Sequence, residues 1–315
     1  MKKIAAWILM LAVSVSLLAC GGPEAGNTPT EETKPADTFP YPEINEKLTW
    51  DAIRSFPVKR ADMTEQEMRQ LCVDFFRFSK TALWIPDTNW TYIKTKDGET
   101  DEMYKGKIYG GLPYIGVASG NVYRIMDYIN EETGVVDMTE PMAEPKLFGN
   151  QCSIASYWGW ARVINSADFG WTYEMVQSKG FLRVGPYTYD DTISRFQDDL
   201  YQTDDVIREN GPEIIYESYA AMKMADGLIT YTGAGHAMMC TADPVVVYDA
   251  EGIIDPANSY LLITDQHSKW VEATNGAGDT YTHKNFVDRK MSFYELLTEA
   301  YIPFTFAEFS GADPI

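Results

Sequence analysis

The chain has 315 residues, with 46 acidic against 26 basic side chains and a formal net charge of −20. A surface this acidic repels phosphate backbones, which excludes nucleic acid as a partner. Hydrophobic residues make up 45% of the chain and aromatics 13%, a composition that suits a globular core and excludes a fibrous or wholly disordered protein.

Lys2 and Lys3 precede an apolar run over 4–18 that is too short to span a bilayer comfortably. The run ends Leu17-Leu18-Ala19-Cys20-Gly21, which resembles the lipobox of bacterial lipoproteins. That resemblance implies loss of residues 1–19 as a signal peptide and diacylation of Cys20. It also implies an extracytoplasmic protein anchored to a bacterial membrane, since two acyl chains give stable anchoring. Residues 20–47 are rich in Gly, Pro, Thr and Glu and read as a disordered tether. Residues 48–315 are then one domain with a single sizeable core.

Thr64-Glu65-Gln66-Glu67 has the form of a capping box, and Met68, Leu71, Cys72, Phe75, Phe76 and Phe78 follow at helical spacing. A helix is predicted over about 64–83. A short strand follows at 90–93. The segment Gly110-Gly111-Leu112-Pro113-Tyr114-Ile115-Gly116 is too rich in Gly and Pro for a helix or strand and reads as a shaped loop. Residues 121–129 are helical, and 133–149 form a polar connection. A helix runs from Cys152 to about Ile164 with Cys152, Ala155, Ser156, Gly159 and Val163 on one side, small enough for close approach to a sheet. An insertion around 190–226 holds two helices divided at Gly211-Pro212, with Tyr216, Tyr219, Met222 and Met224 in the core. Strands are expected at 228–231, 236–241, 245–248, 260–264 and 270–273. Asp249-Ala250-Glu251-Gly252 reads as a hairpin turn and not a calcium loop. A second capping box, Ser292-Phe293-Tyr294-Glu295, opens a last helix before a strand at 301–306. Helices first and an antiparallel sheet afterwards place the fold in the α+β class.

With Cys20 lipidated, Cys72, Cys152 and Cys240 remain, and an odd number leaves at least one thiol unpaired in a monomer. Cys72 and Cys240 sit among apolar residues and read as core. Cys152 opens a helix, where the positive end of the helix dipole lowers a thiol pKa. Gly235-His236 opens an apolar strand and supplies one of only three histidines. A histidine alongside such a cysteine can take its proton. His267 and His283 read as surface residues.

Three pieces now stand in order: the loop Gly111-Leu112-Pro113-Tyr114-Ile115-Gly116, Cys152-Ser153 at a helix start, and Gly235-His236 at a strand start. In this order they resemble the NlpC-type cell-wall peptidases of the papain-like superfamily. Gln151 and Ile154 stand where that family usually has Asp and Gly, and the long helical stretch before His236 suggests a divergent branch with insertions. The resemblance implies a papain-like fold with N-terminal helices and a catalytic helix packed on an antiparallel sheet. It implies Cys152 as nucleophile and His236 as base. A third group on the following strand would orient the imidazole: Asp265 and Gln266 point to opposite faces of that strand; Asp265 is preferred, because a carboxylate best stabilises an imidazolium, and Gln266 is the alternative. Tyr114 and the Cys152 backbone N–H would serve the oxyanion.

The implied activity is that of a membrane-tethered cysteine amidase or peptidase acting on cell-wall peptides as a monomer, without metal or organic cofactor. The alternatives are a non-catalytic binding lipoprotein on the same scaffold, and a thiol acyltransferase or lipid hydrolase of the same superfamily.

Overall fold

The Thr64 side chain accepts the Glu67 N–H, and the Glu67 carboxylate accepts the Thr64 N–H, which starts helix α1 at Glu65–Thr81. Loss of such a cap costs about 1 kcal/mol. Met68, Leu71, Cys72, Phe75 and Phe76 give the helix a buried stripe. The computed structural model describes residues 41–45, 56, 58–59, 61–116, 118–164, 172–177, 180–190, 192–193, 195–196 and 200–310. The leader, Cys20 and the tether as far as residue 40 lie outside the described residues. Residues 41–45, expected as tether, are docked: Ile44 is buried with Leu83, Ile85 and Tyr281, and the Asn45 N–H reaches Asp279 Oδ1 at 2.9 Å.

After α1 come strands β1 (Leu83–Pro86), β2 (Trp90–Ile93), β3 (Thr100–Met103) and β4 (Tyr109–Gly110). A 3-10 helix at Val122–Asp127 precedes β5 (Ile129–Asn130) and β6 (Val135–Val136). The expected polar connection over 133–149 contains β6 and two short helices, α2 (Thr139–Ala143) and α3 (Pro145–Phe148). Helix α4 is Cys152–Trp160, shorter than expected, and strand β7 is Phe181–Arg183. Helices α5 (Thr203–Asn210) and α6 (Pro212–Ala220) flank Gly211; the described residues between 190 and 202 are not helical, a correction to the longer helical insertion. Strands β8 (Gly227–Tyr231), β9 (Gly235–Cys240), β10 (Tyr260–Thr274) and β11 (Thr280–Ser292), helix α7 (Phe293–Thr298) and strand β12 (Ile302–Phe306) complete the described chain, with a final 3-10 turn at Ala307–Ser310.

The fold is α+β, built on a ten-stranded sheet in the order β5-β6-β1-β4-β11-β10-β9-β8-β12-β7. The sheet is mixed and not purely antiparallel, since β1 runs parallel to β6 and β11 parallel to β4. The two strands expected at 260–264 and 270–273 are one strand, β10, whose register with β11 slips between Gln266 and Val271. Such a bulge lets a strand bend without ending. The strand expected at 245–248 is replaced by two isolated bridges, Val245 with Tyr260 and Tyr248 with Ile254. Asp249 turns the chain there by accepting the N–H groups of Glu251 and Ile253, as a turn residue does.

The small residues of α4 allow the close approach that brings its N-terminus to the sheet. A Cβ at Gly159 would lie 2.8 Å from Met239 Cε and 3.0 Å from Phe76 Cβ. Helices α1 and α4 therefore meet over β9, with Ala155, Trp160, Phe76 and Met239 in one buried cluster. Burying a side chain of phenylalanine size contributes about 1.5–3 kcal/mol.

Candidate active site

Cys152 is the first residue of α4 and is 4% exposed. Gln151 occupies the N-cap with its side chain making no cap hydrogen bond. The opening amides of the helix therefore lack both an intrahelical partner and a capping side chain. Gly235 faces the sulfur, with its carbonyl 3.9 Å from Cys152 Sγ. A side chain at residue 235 would overlap Thr172, so only glycine lets the start of β9 pass this close to Thr172.

His236 follows at the start of β9. Asp265 pairs with Met238 across β9 and β10, and alternation puts His236 and Met238 on one face. His236 and Asp265 thus lie diagonally on a common face, and His236 Nε2 is 2.8 Å from Asp265 Oδ2. That bond leaves Nδ1 as the ring nitrogen free to exchange a proton with sulfur. The imidazole keeps 23% of its side chain exposed while Asp265 keeps 2%. Gln266, one residue on, points the other way: its Nε2 donates to Leu112 O at 2.9 Å and its Oε1 accepts from Lys80 Nζ at 3.2 Å. The two candidates for the third position are thus separated by strand alternation, and only Asp265 reaches the imidazole.

The charges are mutually dependent. Burial pushes the Cys152 thiol up, but the His236 charge and hydrogen bond, with N–H donors from Ala237 and Ser153, outweigh it and hold the thiol below its ordinary value. Burial alone would lower His236; the Cys152 charge and the Asp265 bond raise it to about 10. Asp265 loses solvation as well, yet His236, Arg289 and His267 draw its carboxyl below the ordinary 3.8. By contrast, burial drives Cys72 well up and Cys240 up to about 12, and both are fully buried in the core.

Tyr114 is brought to the same place by backbone pairing. Ile115 N–H donates to Asn150 O at 2.9 Å and Asn150 N–H donates to Pro113 O at 3.1 Å, fixing the loop two residues before the cysteine. Burial, then the charge of Cys152, raises the Tyr114 hydroxyl.

His267 and His283 are not surface residues. His267 stacks on Phe286 with ring centroids 4.1 Å apart, and burial lowers it to about 4. His283 is 6% exposed beside Tyr281 on strand β11, a strand for which the sequence offered no reading. Two cations near the site carry no motif. Arg289 Nη2 is 3.9 Å from Asp265 Oδ2, and its guanidinium lies 4.6 Å from the Phe286 ring centroid. Lys80 is 3% exposed. A signal for Lys80 was present, since it continues the Cys72–Phe76 spacing of the buried stripe by one more helical turn.

Among the described residues no group of three or more His, Cys, Asp or Glu side chains is placed to hold a metal ion, and no helix is long and apolar enough to cross a membrane. No family model, no curated protein and no solved structure matches the chain.

Proposed function

We propose that this protein is a papain-like cysteine hydrolase that cleaves an amide bond, acting on cell-wall peptides from a lipid anchor at Cys20. The observation that carries the reading is His236, its Nε2 held 2.8 Å from the buried Asp265 carboxylate, beside Cys152, the one of the three described thiols that its surroundings hold below the ordinary value. In this reading the Cys152 proton passes to His236 and the thiolate attacks the substrate carbonyl carbon. The resulting oxyanion takes the Cys152 N–H and the Tyr114 hydroxyl as donors. His236 then returns the proton to the leaving amine as the C–N bond breaks, leaving a thioester on Cys152. Water attacks the thioester, His236 takes its proton, and release of the acid restores the thiol. Asp265 stabilises the imidazolium throughout and keeps Nδ1 turned towards sulfur.

Acid–base assistance of this kind is worth about 10²–10⁴ in rate. Incubating the purified protein with muropeptides and simple peptide amides tests the reading: the parent cleaves and Cys152→Ala does not. Full activity in Cys152→Ala on any substrate the parent cleaves would refute it. The anchor is tested separately, since Cys20→Ala releases the protein from the membrane fraction or blocks its processing; unchanged processing and retention would remove the lipoprotein assignment.

A further inference from the structure

A pocket lies away from Cys152, where β3 and the turn after it meet β10 and β11. Its volume is about 150 Å³, room for one six-membered ring. One wall is aromatic: Tyr109 and Trp270 have ring centroids 5.3 Å apart and planes inclined at 55°. Tyr104 stands at the mouth and is 52% exposed. It is nevertheless pinned at both ends. Its N–H donates to the Tyr109 hydroxyl oxygen at 2.8 Å, and its own hydroxyl donates to Glu102 Oε2 at 2.5 Å. A ring held this way is ordered before anything binds, which lowers the cost of binding. Thr282 lines the same pocket and is 4% exposed, and its Oγ1 has no hydrogen-bond partner. A buried hydroxyl without a partner is costly to the fold. A ligand hydroxyl in the pocket would supply one.

The charges around the pocket are already matched. Lys107 Nζ is 3.4 Å from Glu272 Oε1, and both line the pocket. Lys284 Nζ stands 4.5 Å from the Trp270 ring centroid and is paired with Asp101, whose other oxygen accepts the indole N–H at 2.8 Å. Glu102 is occupied by the Tyr104 hydroxyl. An anion would meet Glu102 and Glu272, and a cation would meet Lys107 at the rim and Lys284 beside the indole. What remains is aromatic surface edged with carboxylate oxygens, one ammonium and one free hydroxyl. An uncharged pyranose is the complement of that surface. Its C–H face packs on aromatic rings, and its hydroxyls both donate and accept at the edge.

Strand β11 relates the pocket to the Cys152 site. Thr282, Lys284 and Phe286 alternate onto one face, and Phe286 is the cross-strand partner of Asp265. Thr282 is therefore on the Asp265 face of the sheet, four residues or about 13 Å along the strand from Phe286.

We propose that this pocket binds an uncharged sugar ring, packed against Tyr104 and Trp270 with its hydroxyls bonded to Glu102, Glu272 and Thr282. The site is separate from Cys152, and the inference does not rest on the hydrolase reading.

The test reads binding and not turnover. The full-length protein, in a detergent without a sugar headgroup, is titrated by calorimetry with an N-acetylglucosamine trimer and with maltotriose. Tetramethylammonium chloride and sodium phosphate serve as the cationic and anionic comparisons. The parent binds at least one of the two saccharides and neither ion. Tyr104→Ala removes the exposed ring and weakens that binding about tenfold. Thr282→Val keeps the shape and removes a hydroxyl that has no partner in the fold. Its urea midpoint is therefore not lowered, while saccharide binding falls about three- to tenfold. A threonine that served only the fold would give the opposite pair of results. Should Tyr104→Ala fail to fold, Glu272→Gln is read in its place with about threefold weaker binding, because that side chain is 69% exposed and its loss leaves the fold intact. A parent that binds neither saccharide overturns the proposal. So does saccharide binding that Tyr104→Ala and Thr282→Val both leave unchanged, which would put the sugar elsewhere. Binding of tetramethylammonium or phosphate in place of the saccharides overturns the ligand class.

Discussion

Helix α1 carries a buried cation near each end, and the two are used differently. Arg69, near the start, is saturated: Nε donates to Glu65 at 2.8 Å, Nη1 to Asp226 at 2.7 Å and to Met224 O at 2.8 Å, and Nη2 to Thr305 at 3.3 Å. Lys80, at the other end, donates to a neutral amide oxygen, that of Gln266, at 3.2 Å. The buried carboxylates show the consequence. Asp226 and Asp265 are each 1% exposed. Burial raises Asp226 in spite of Arg69, whereas His236, Arg289 and His267 overcome burial and lower Asp265. Equal burial therefore does not decide the charge state; the number and direction of the surrounding charges do. A knot with one cation and closed hydrogen bonds braces helix to sheet. A cluster with several displaced groups and a partly exposed imidazole has what the proposed proton movement requires.

The sharpest way to break this contrast is to remove the nucleophile or the base. Cys152→Ala and His236→Ala each lower turnover by about 10⁴-fold or more, and the double variant is no worse than either, because the two act as a unit. Steady-state kinetics with circular dichroism of each variant checks this; additive losses would mean that the residues act independently. Asp265→Asn costs less, about a hundredfold, since the ring keeps its packing against Tyr301 at a centroid distance of 6.4 Å. A Gln266→Ala protein more crippled than Asp265→Asn would reverse the assignment.

At the other end of the helix, Arg69→Met leaves Asp226 buried and unpaired, which costs about 3–5 kcal/mol. Urea denaturation reads that loss, while the alkylation rate of Cys152 stays at the parental value. Replacing both partners, Arg69→Met with Asp226→Leu, recovers most of the stability. A change in Cys152 reactivity in either protein would show that the two clusters are coupled.

The smallest effect is in acid. The folded-state pKa of Asp265 lies below its unfolded value of 3.8, so its contribution is full above that pH and is lost as pH falls through the folded value. Asp265→Asn therefore loses less stability than the parent between pH 4 and pH 2, measured as the midpoint of urea unfolding. A parallel fall in the two proteins would contradict the lowered carboxyl.

The sequence announced the features that are local. Thr64 with Glu67 and Ser292 with Glu295 form their capping boxes as read, and Cys152 and Gly235-His236 open their elements as read. Strand alternation put Asp265 and Gln266 on opposite faces, and the need for a carboxylate beside imidazolium favoured Asp265, which is the one that reaches His236. The features that depend on distant partners were hidden. Strand β11 reads as polar because Thr282, His283, Lys284 and Asn285 are all buried, Lys284 through bonds to Asp101 and Ser268 O. Hydrophobic periodicity cannot find a strand whose interior is polar. Helices α2 and α3 are only five and four residues long and have no side-chain cap bond, so the periodicity that marks a helix is absent and Pro145 at the start of α3 is its one local sign. Lys80 continues the spacing of the buried stripe, but a lysine there reads as the end of the stripe and not as part of it.

The central claim is that Cys152 alone among the described thiols is made reactive by its surroundings, and competitive labelling tests it most directly. The folded protein is exposed briefly to iodoacetamide near neutral pH and digested, and the three cysteine peptides are quantified by mass spectrometry. The account predicts label at Cys152, with Cys72 and Cys240 unmodified until the protein is unfolded. Equal labelling of Cys72 or Cys240 in the folded protein would contradict it.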